Sequence, residues 1–214
     1  MPGTSYMNTM NSKIYEIITE NPDQRFIDMA VSILSNGGVI CYPTDTVYGL
    51  GASVQNNRAI ERINHIKRLA NKKLLSLICK DLKDIANYAY VSNHSYKIMR
   101  RCLPGPYTFI LPATSQTPKR LSQKRRTVGV RVPDNRLCQV LVESLGLPLI
   151  NTSVPAGADE ILNDPYEIER RIGNELDLIF DGGILVSEPS TIVDLTEHEP
   201  QVVREGAGDI SLIY

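Results

Sequence analysis

No apolar run in the 214-residue chain approaches the ~18 residues needed to cross a bilayer, and the N-terminus lacks the charged-then-apolar layout of a signal peptide. The expected location is therefore the cytoplasm. The four cysteines, Cys41, Cys79, Cys102 and Cys138, form no Cys-x-x-Cys pair and have no histidine at a ligand interval, which argues against a zinc site and a disulfide framework. Each lies among apolar residues and reads as a small buried hydrophobe. There is no Gly-x-x-x-x-Gly-Lys phosphate loop, no Gly-x-Ser-x-Gly elbow and no His-Glu-x-x-His pair. Gly49-Leu50-Gly51 lacks the third glycine of a dinucleotide fingerprint, and Asn71-Lys72-Lys73 stands where the ribose-binding acid belongs, so a Rossmann reading is weak. Aromatic residues make up only 6% and form no stacking motif of the single-strand-binding type. Internal repeats and low-complexity linkers are also missing.

The remaining composition, 42% apolar and 22% charged, is that of a globular protein. A net charge of −1 hides an uneven distribution along the chain. Arg58, Arg62, Lys67, Arg68, Lys72 and Lys73 face a single acid, Glu61. Lys119, Arg120, Lys124, Arg125, Arg126, Arg131 and Arg136 are opposed only by Asp134. From Asp159 onward the chain is acidic, with Arg170, Arg171 and Arg204 as its cations. Two basic clusters in one part of a near-neutral protein point to an anionic, phosphate-bearing ligand. His65, His94 and His198 sit in polar surroundings and read as surface residues without partners.

Residues 1–12 show no periodicity and are expected to be a flexible tail before one domain over residues 13–214. Asn21-Pro22 is expected to cap and open a helix carrying Phe26, Met29, Ala30, Ile33 and Leu34, stopped by Gly37 and Gly38. Val39 to Tyr42 reads as a buried strand delivering a loop. Asn57 is expected to cap a helix with Ile60, Ile63 and Ile66 facing the core. Strands follow at 74–79, 107–111, 127–132, 149–152 and 176–180. Helices are expected at 82–89, at 96–102 after Ser92, after Pro133 through Leu145, and after Asp164-Pro165, where Glu167 would complete a capping box. Thr191–Leu195 and Gln201–Arg204 read as a hairpin. Helices alternating with buried strands, plus a hairpin, predict a mixed α/β sheet.

The polar residues suited to phosphate lie at strand ends. Tyr42-Pro43-Thr44-Asp45-Thr46-Val47-Tyr48-Gly49-Leu50-Gly51 supplies hydroxyls and a glycine-bent backbone after a strand, where α/β folds place ligands, though a tight turn would look the same. Thr127-Val128-Gly129-Val130-Arg131-Val132-Pro133 places Arg131 in an otherwise apolar strand. A guanidinium there requires an anionic partner, either a protein carboxylate or one from a ligand. Ser190 to Asp194 and Val203-Arg204-Glu205-Gly206 repeat the theme of polar groups flanking strands.

Taken with Pro104-Gly105-Pro106-Tyr107-Thr108-Phe109-Ile110-Leu111, these segments resemble, in order, the signatures of the YrdC-like family of threonylcarbamoyl-AMP synthases. The resemblance covers nearly the whole chain after residue 12. It implies a twisted mixed parallel/antiparallel α/β sheet flanked by helices around a basic concave cavity. In the synthase members that cavity joins L-threonine, bicarbonate and ATP into threonylcarbamoyl-AMP for tRNA modification, with Mg2+ on the ATP substrate and no tightly held cofactor. Carried over by position, Thr44 and Thr46 would line the threonine pocket and Arg131 would hold the amino-acid carboxylate. Lys67, Lys73, Thr127, Ser153 and Arg204 would contact the nucleotide, Ser190 would face the substrates, and Lys67 and Arg131 would be the catalytic cations.

Two departures place the chain nearest the YciO-type branch of the resemblance. Lys67-Arg68-Leu69 stands where synthases have Lys-x-Arg, and Ser153-Val154-Pro155 stands where they have Ser-x-Asn. An ATP-using nucleotidyltransferase with weakened synthase activity, a double-stranded RNA- or tRNA-binding protein without that activity, and a nucleotide-binding regulator are the readings left open.

Overall fold

The computed structural model describes residues 13–68, 75–119, 121, 126–155, 162–186 and 188–214. Among them ten strands form one sheet: β1 (Ile14–Glu16), β2 (Ile40–Tyr42), β3 (Gly49–Ser53), β4 (Ser76–Ile78), β5 (Tyr107–Pro112), β6 (Thr127–Arg131), β7 (Leu149–Ser153), β8 (Leu178–Asp181), β9 (Thr191–Asp194) and β10 (Gln201–Arg204). Their order is β1-β8-β2-β3-β7-β4-β6-β5-β9-β10. The pairs β1/β8, β2/β8, β4/β6 and β5/β9 are parallel, and the remaining neighbours are antiparallel, giving the mixed sheet expected.

Because successive side chains on a strand point to opposite faces, the register assigns every residue to one side. One face is largely apolar, with Thr152 and Thr191 as buried exceptions: Cys41, Leu50, Leu77, Ile150, Val130, Phe109 and Val193 meet Ile60, Ile63 and Ile66 of α2 (Asn57–Arg68), Ile98 and Met99 of α4 (Asn93–Cys102), and Ile168 of α6 (Pro165–Ile172). The short α3 (Leu82–Tyr88) adds Ile85 to this core. On the other face Ile40, Tyr42, Ile78, Leu149, Leu178 and Phe180 meet Ile27, Ala30 and Leu34 of α1 (Gln24–Ser35) and Leu137, Cys138 and Leu141 of α5 (Arg136–Leu145). All four cysteines are free and buried, as expected for small hydrophobes.

Several helix starts differ from expectation because a side chain in better geometry takes the cap. Asp23 caps α1 by accepting from Arg25 N, so Asn21-Pro22 lies in the preceding turn. Asn56 Oδ1 accepts from Ala59 N at 3.1 Å, displacing Asn57 as the cap of α2. Asp164 caps α6 as expected, but Glu167 does not close a capping box: its carboxylate is held by Arg170 and Arg171 at 2.6 Å. Asn135 caps α5, two residues after Pro133, and Gly146 ends it in the left-handed region at φ 70°.

The largest difference concerns Gly49–Ser53, expected as bent backbone and found as a buried strand between β2 and β7. Glycine disfavours strands in general, but here its missing side chain admits two others. A Cβ on Gly51 would lie 2.6 Å from Tyr42 Cε1, and one on Gly49 would lie 2.4 Å from Asn151 Oδ1. Tyr42 donates to that same Asn151 oxygen at 2.9 Å, so a buried hydrogen bond runs through the space the glycines vacate.

Candidate functional site

On the face covered by α1 and α5, the apolar cluster ends at Ile78 and Leu149. Two residues further along the same strands, on the same face, stand Ser76 and Asn151, which are register partners. From Ser76 the register runs to Gly129 and from there to Ile110. Thr108 then lies opposite Ile192, which lies opposite Arg204. Thr127, Gly129 and Arg131 alternate onto this face of β6, and Ser153 extends it on β7 beside Gly49. A polar strip with glycine hollows thus crosses the half of the sheet that the apolar cluster leaves.

Arg131 is the deepest charge in the strip, with its side chain only 5% exposed. Its Nη2 donates to Asp45 Oδ1 at 2.8 Å and to Thr46 Oγ1 at 3.2 Å. The anionic partner required by an arginine in an apolar strand is therefore, in this structure, a protein carboxylate. Asp45 Oδ2 accepts from Asp134 N at 3.0 Å, so the carboxylate ties the β2–β3 loop to the start of the β6–α5 turn. Burial pushes the Asp45 carboxyl above its ordinary range and outweighs the opposite pull of Arg131. The Nε–H of Arg131 is buried and has no acceptor among the described residues. An unmet donor on a buried guanidinium is costly unless a ligand completes it.

Arg204 lies close enough for the field of Arg131 to act on it. Burial first, and the like charge of Arg131 second, hold its pKa below the ordinary arginine value. Its Nε donates to Ser190 O at 3.1 Å, and the Ser190 hydroxyl lies 2.9 Å from that of Thr108. Thr44 and Thr46 are both buried; Thr44 Oγ1 donates to Val47 O at 2.7 Å and accepts from Thr46 N at 3.1 Å, which fixes the loop that carries Asp45.

Arg131, Arg204, Ser190, Thr127 and Ser153 thus share one face of the sheet, with Thr46 against Arg131. Lys67 belongs to the last turn of α2, whereas Lys73 and Leu69 lie outside the described residues, as do the 1–12 tail and Arg120, Lys124 and Arg125. Arg62, grouped by sequence with the first basic cluster, is spent elsewhere, pairing with Asp177 at 2.6 Å and Glu175 O at 2.8 Å. His94 and His198 are exposed but stack on each other at 5.2 Å, a partnership the sequence did not reveal. Asp45, Thr108, Ser76 and Asn151 are the site residues that sequence reasoning missed. Only Asp45 had a signal, as the one acid in a hydroxyl-rich strand-end loop.

Among the described residues no helix is long and apolar enough to cross a membrane, and no three His, Cys, Asp or Glu side chains gather as a metal site. An open mixed sheet flanked by helices, with a buried arginine on a polar strip, defines an α/β protein of the YrdC-like kind. Residues 32–206 match the family Sua5_yciO_yrdC, described as "Telomere recombination". This chain belongs to that family.

YciO of Escherichia coli (strain K12) is 44% identical over 201 residues, covering 93% of this chain and 98% of YciO. The YciO crystal structure superposes with a TM-score of 0.90, covering 95% of this chain and 100% of that one. A protein of Methanocaldococcus jannaschii named as a putative threonylcarbamoyl-AMP synthase is 31% identical over 195 residues, covering 91% of each. Sua5 of P. abyssi, solved in complex with L-threonine, gives a TM-score of 0.83 at 25% identity over 91% of this chain and 58% of Sua5. The chain is thus related to threonylcarbamoyl-AMP synthases, and similar to YciO over nearly the full length of both.

Proposed function

We propose that this protein binds ATP, with Mg2+ carried on the phosphates of that substrate, in a basic cavity over the polar strip, and holds a small carboxylate beside Arg131. The observation that carries the reading is the Arg131 guanidinium, buried, fixed by Asp45 and Thr46, and left with an Nε–H that no group among the described residues meets. A second cation, Arg204, and the hydroxyls of Ser190, Thr127 and Ser153 lie on the same face. The relationship to threonylcarbamoyl-AMP synthases and the L-threonine complex of Sua5 support a carboxylate next to a nucleotide.

Adenylation develops charge on phosphoryl oxygens and needs positioned cations and dipoles rather than a covalent nucleophile. Lys67 and Lys73 would serve the phosphates together with Arg204. Leu69 and the buried Pro155 each replace a phosphate-directed donor of the synthase pattern, and losing one such donor costs about 10²–10³ in rate. The reading is therefore a nucleotide-binding protein with low threonylcarbamoyl-AMP synthase turnover.

The test incubates the purified chain with MgATP, L-threonine and bicarbonate and assays pyrophosphate and threonylcarbamoyl-AMP together, beside an ATP-binding titration. ATP binding with slow formation of both products is expected, and Leu69→Arg with Pro155→Asn should raise turnover. No ATP binding overturns the reading. Pyrophosphate without threonylcarbamoyl-AMP identifies a different acceptor of the adenylate.

A further inference from the structure

The geometry points to Asp45 as a selectivity device that confines the anion at Arg131 to a single negative charge. The inference rests on the reading of Arg131 as an anion site. A guanidinium recognises phosphate or sulfate best when two parallel N–H groups on one edge meet two oxygens. Both edges able to do this use Nη2. Here Nη2 already donates to two acceptors, Asp45 Oδ1 at 2.8 Å and Thr46 Oγ1 at 3.2 Å. Neither fork remains whole, so an incoming anion meets the unpartnered Nε–H singly.

Charge gives the same answer. Asp45 is 6% exposed, its Oδ2 is fixed by Asp134 N at 3.0 Å, and its Oδ1 lies against Arg131, so its charge cannot swing away. Arg131 and Asp45 neutralise one another, so the pair offers an incoming anion no net positive charge. A dianion then meets more repulsion from the Asp45 carboxylate than a monoanion does. In a buried site such juxtaposition is strongly unfavourable. Asp45 therefore keeps carboxylates at Arg131 and turns phosphoryl groups toward other cations, which orients a carboxylate and a nucleotide that would otherwise compete for the same arginine.

The test follows the Arg131 Nε–H resonance of the full chain by 1H–15N NMR, with acetate and sulfate as probes at constant ionic strength, while ATP binding is titrated separately. In the wild type, acetate should move the resonance at lower concentration than sulfate. Asp45→Asn removes the charge while keeping the side-chain shape, and should shift the sulfate-to-acetate preference toward sulfate by about tenfold or more. Thr46→Val frees one Nη2 hydrogen without altering charge and should shift it in the same direction by less. The Thr46 variant keeps the idea testable if Asp45→Asn fails to fold. Equal preference for the two probes in the wild type, or a ratio unchanged in the variants, overturns the assignment. So does an Arg131 resonance that neither probe moves, and if ATP still binds in that case the nucleotide reading stands without it.

Discussion

The two faces of the central strands are written by the same alternation and serve different ends. On one face Leu50, Leu77, Val130 and Phe109 belong to an apolar layer under α2 and α4, interrupted at Thr152. Their neighbours in sequence, Gly49 and Gly51, Ser76, Arg131, Thr108 and Ile110, turn to the other face and form the strip. The apolar face can stabilise the sheet without specifying a ligand. The polar face carries a buried ion pair, which contributes little net stability, and an unmet N–H on a charged guanidinium, whereas the unmet polar atom of the apolar face is the neutral hydroxyl of Thr152.

Substitutions that respect this division should separate stability from binding. The largest loss is expected for Phe109→Ala, which empties a fully buried ring position and should cost about 3–5 kcal/mol in chemical denaturation, with ATP affinity of the folded fraction unchanged. Loss of affinity in parallel with stability would mean that the two faces are not independent. Arg131→Ala strands Asp45 as a buried unpaired carboxylate and should cost up to about 3–5 kcal/mol while also abolishing the carboxylate site. Arg131→Ala combined with Asp45→Asn should recover much of the stability and none of the binding. Gly51→Val should cost about 1–3 kcal/mol by driving a side chain into Tyr42, and pairing it with Tyr42→Leu should return part of that loss.

The legibility of the molecule follows the same division. Strands β5, β6 and β9 and helices α3 and α4 are readable because their period is set by the apolar face, and local periodicity reports burial directly. β3 escapes because its glycines are chosen for Tyr42 and Asn151, residues that only the folded sheet brings against them. β1, three residues at the sheet edge, is too short to show a period. Arg131 was legible as a buried cation. Its partner was not, because Asp45 lies 86 positions away and tertiary structure alone selects it. Arg62 shows the converse, since a basic cluster in sequence disperses once Asp177 claims one of its members.

The smallest effect expected is also the one that sets the buried site against the surface most directly, through the opposite pH dependence of two carboxylates. Burial raises the Asp45 pKa above its reference of 3.8. The folded state therefore holds that proton more tightly than the unfolded chain, and the contribution is fully present below 3.8 and lost as pH rises through the folded value. On the surface, hydrogen bonds from Arg170 and Arg171 lower Glu167 from 4.5 to about 2. Its contribution is present above 4.5 and lost as pH falls from there toward about 2. Denaturation midpoints measured from acid to neutral pH should respond accordingly. Glu167→Gln should flatten the fall in stability on the acid side, and Asp45→Asn should flatten a decline that the wild type shows as pH rises above 3.8. Because Glu167 is solvated, its effect should shrink in high salt, whereas that of Asp45 should persist. If both variants changed the pH profile in the same direction, Asp45 would not be behaving as a carboxylate whose ionisation the fold opposes, and the contrast between a site charge and a surface charge would fail.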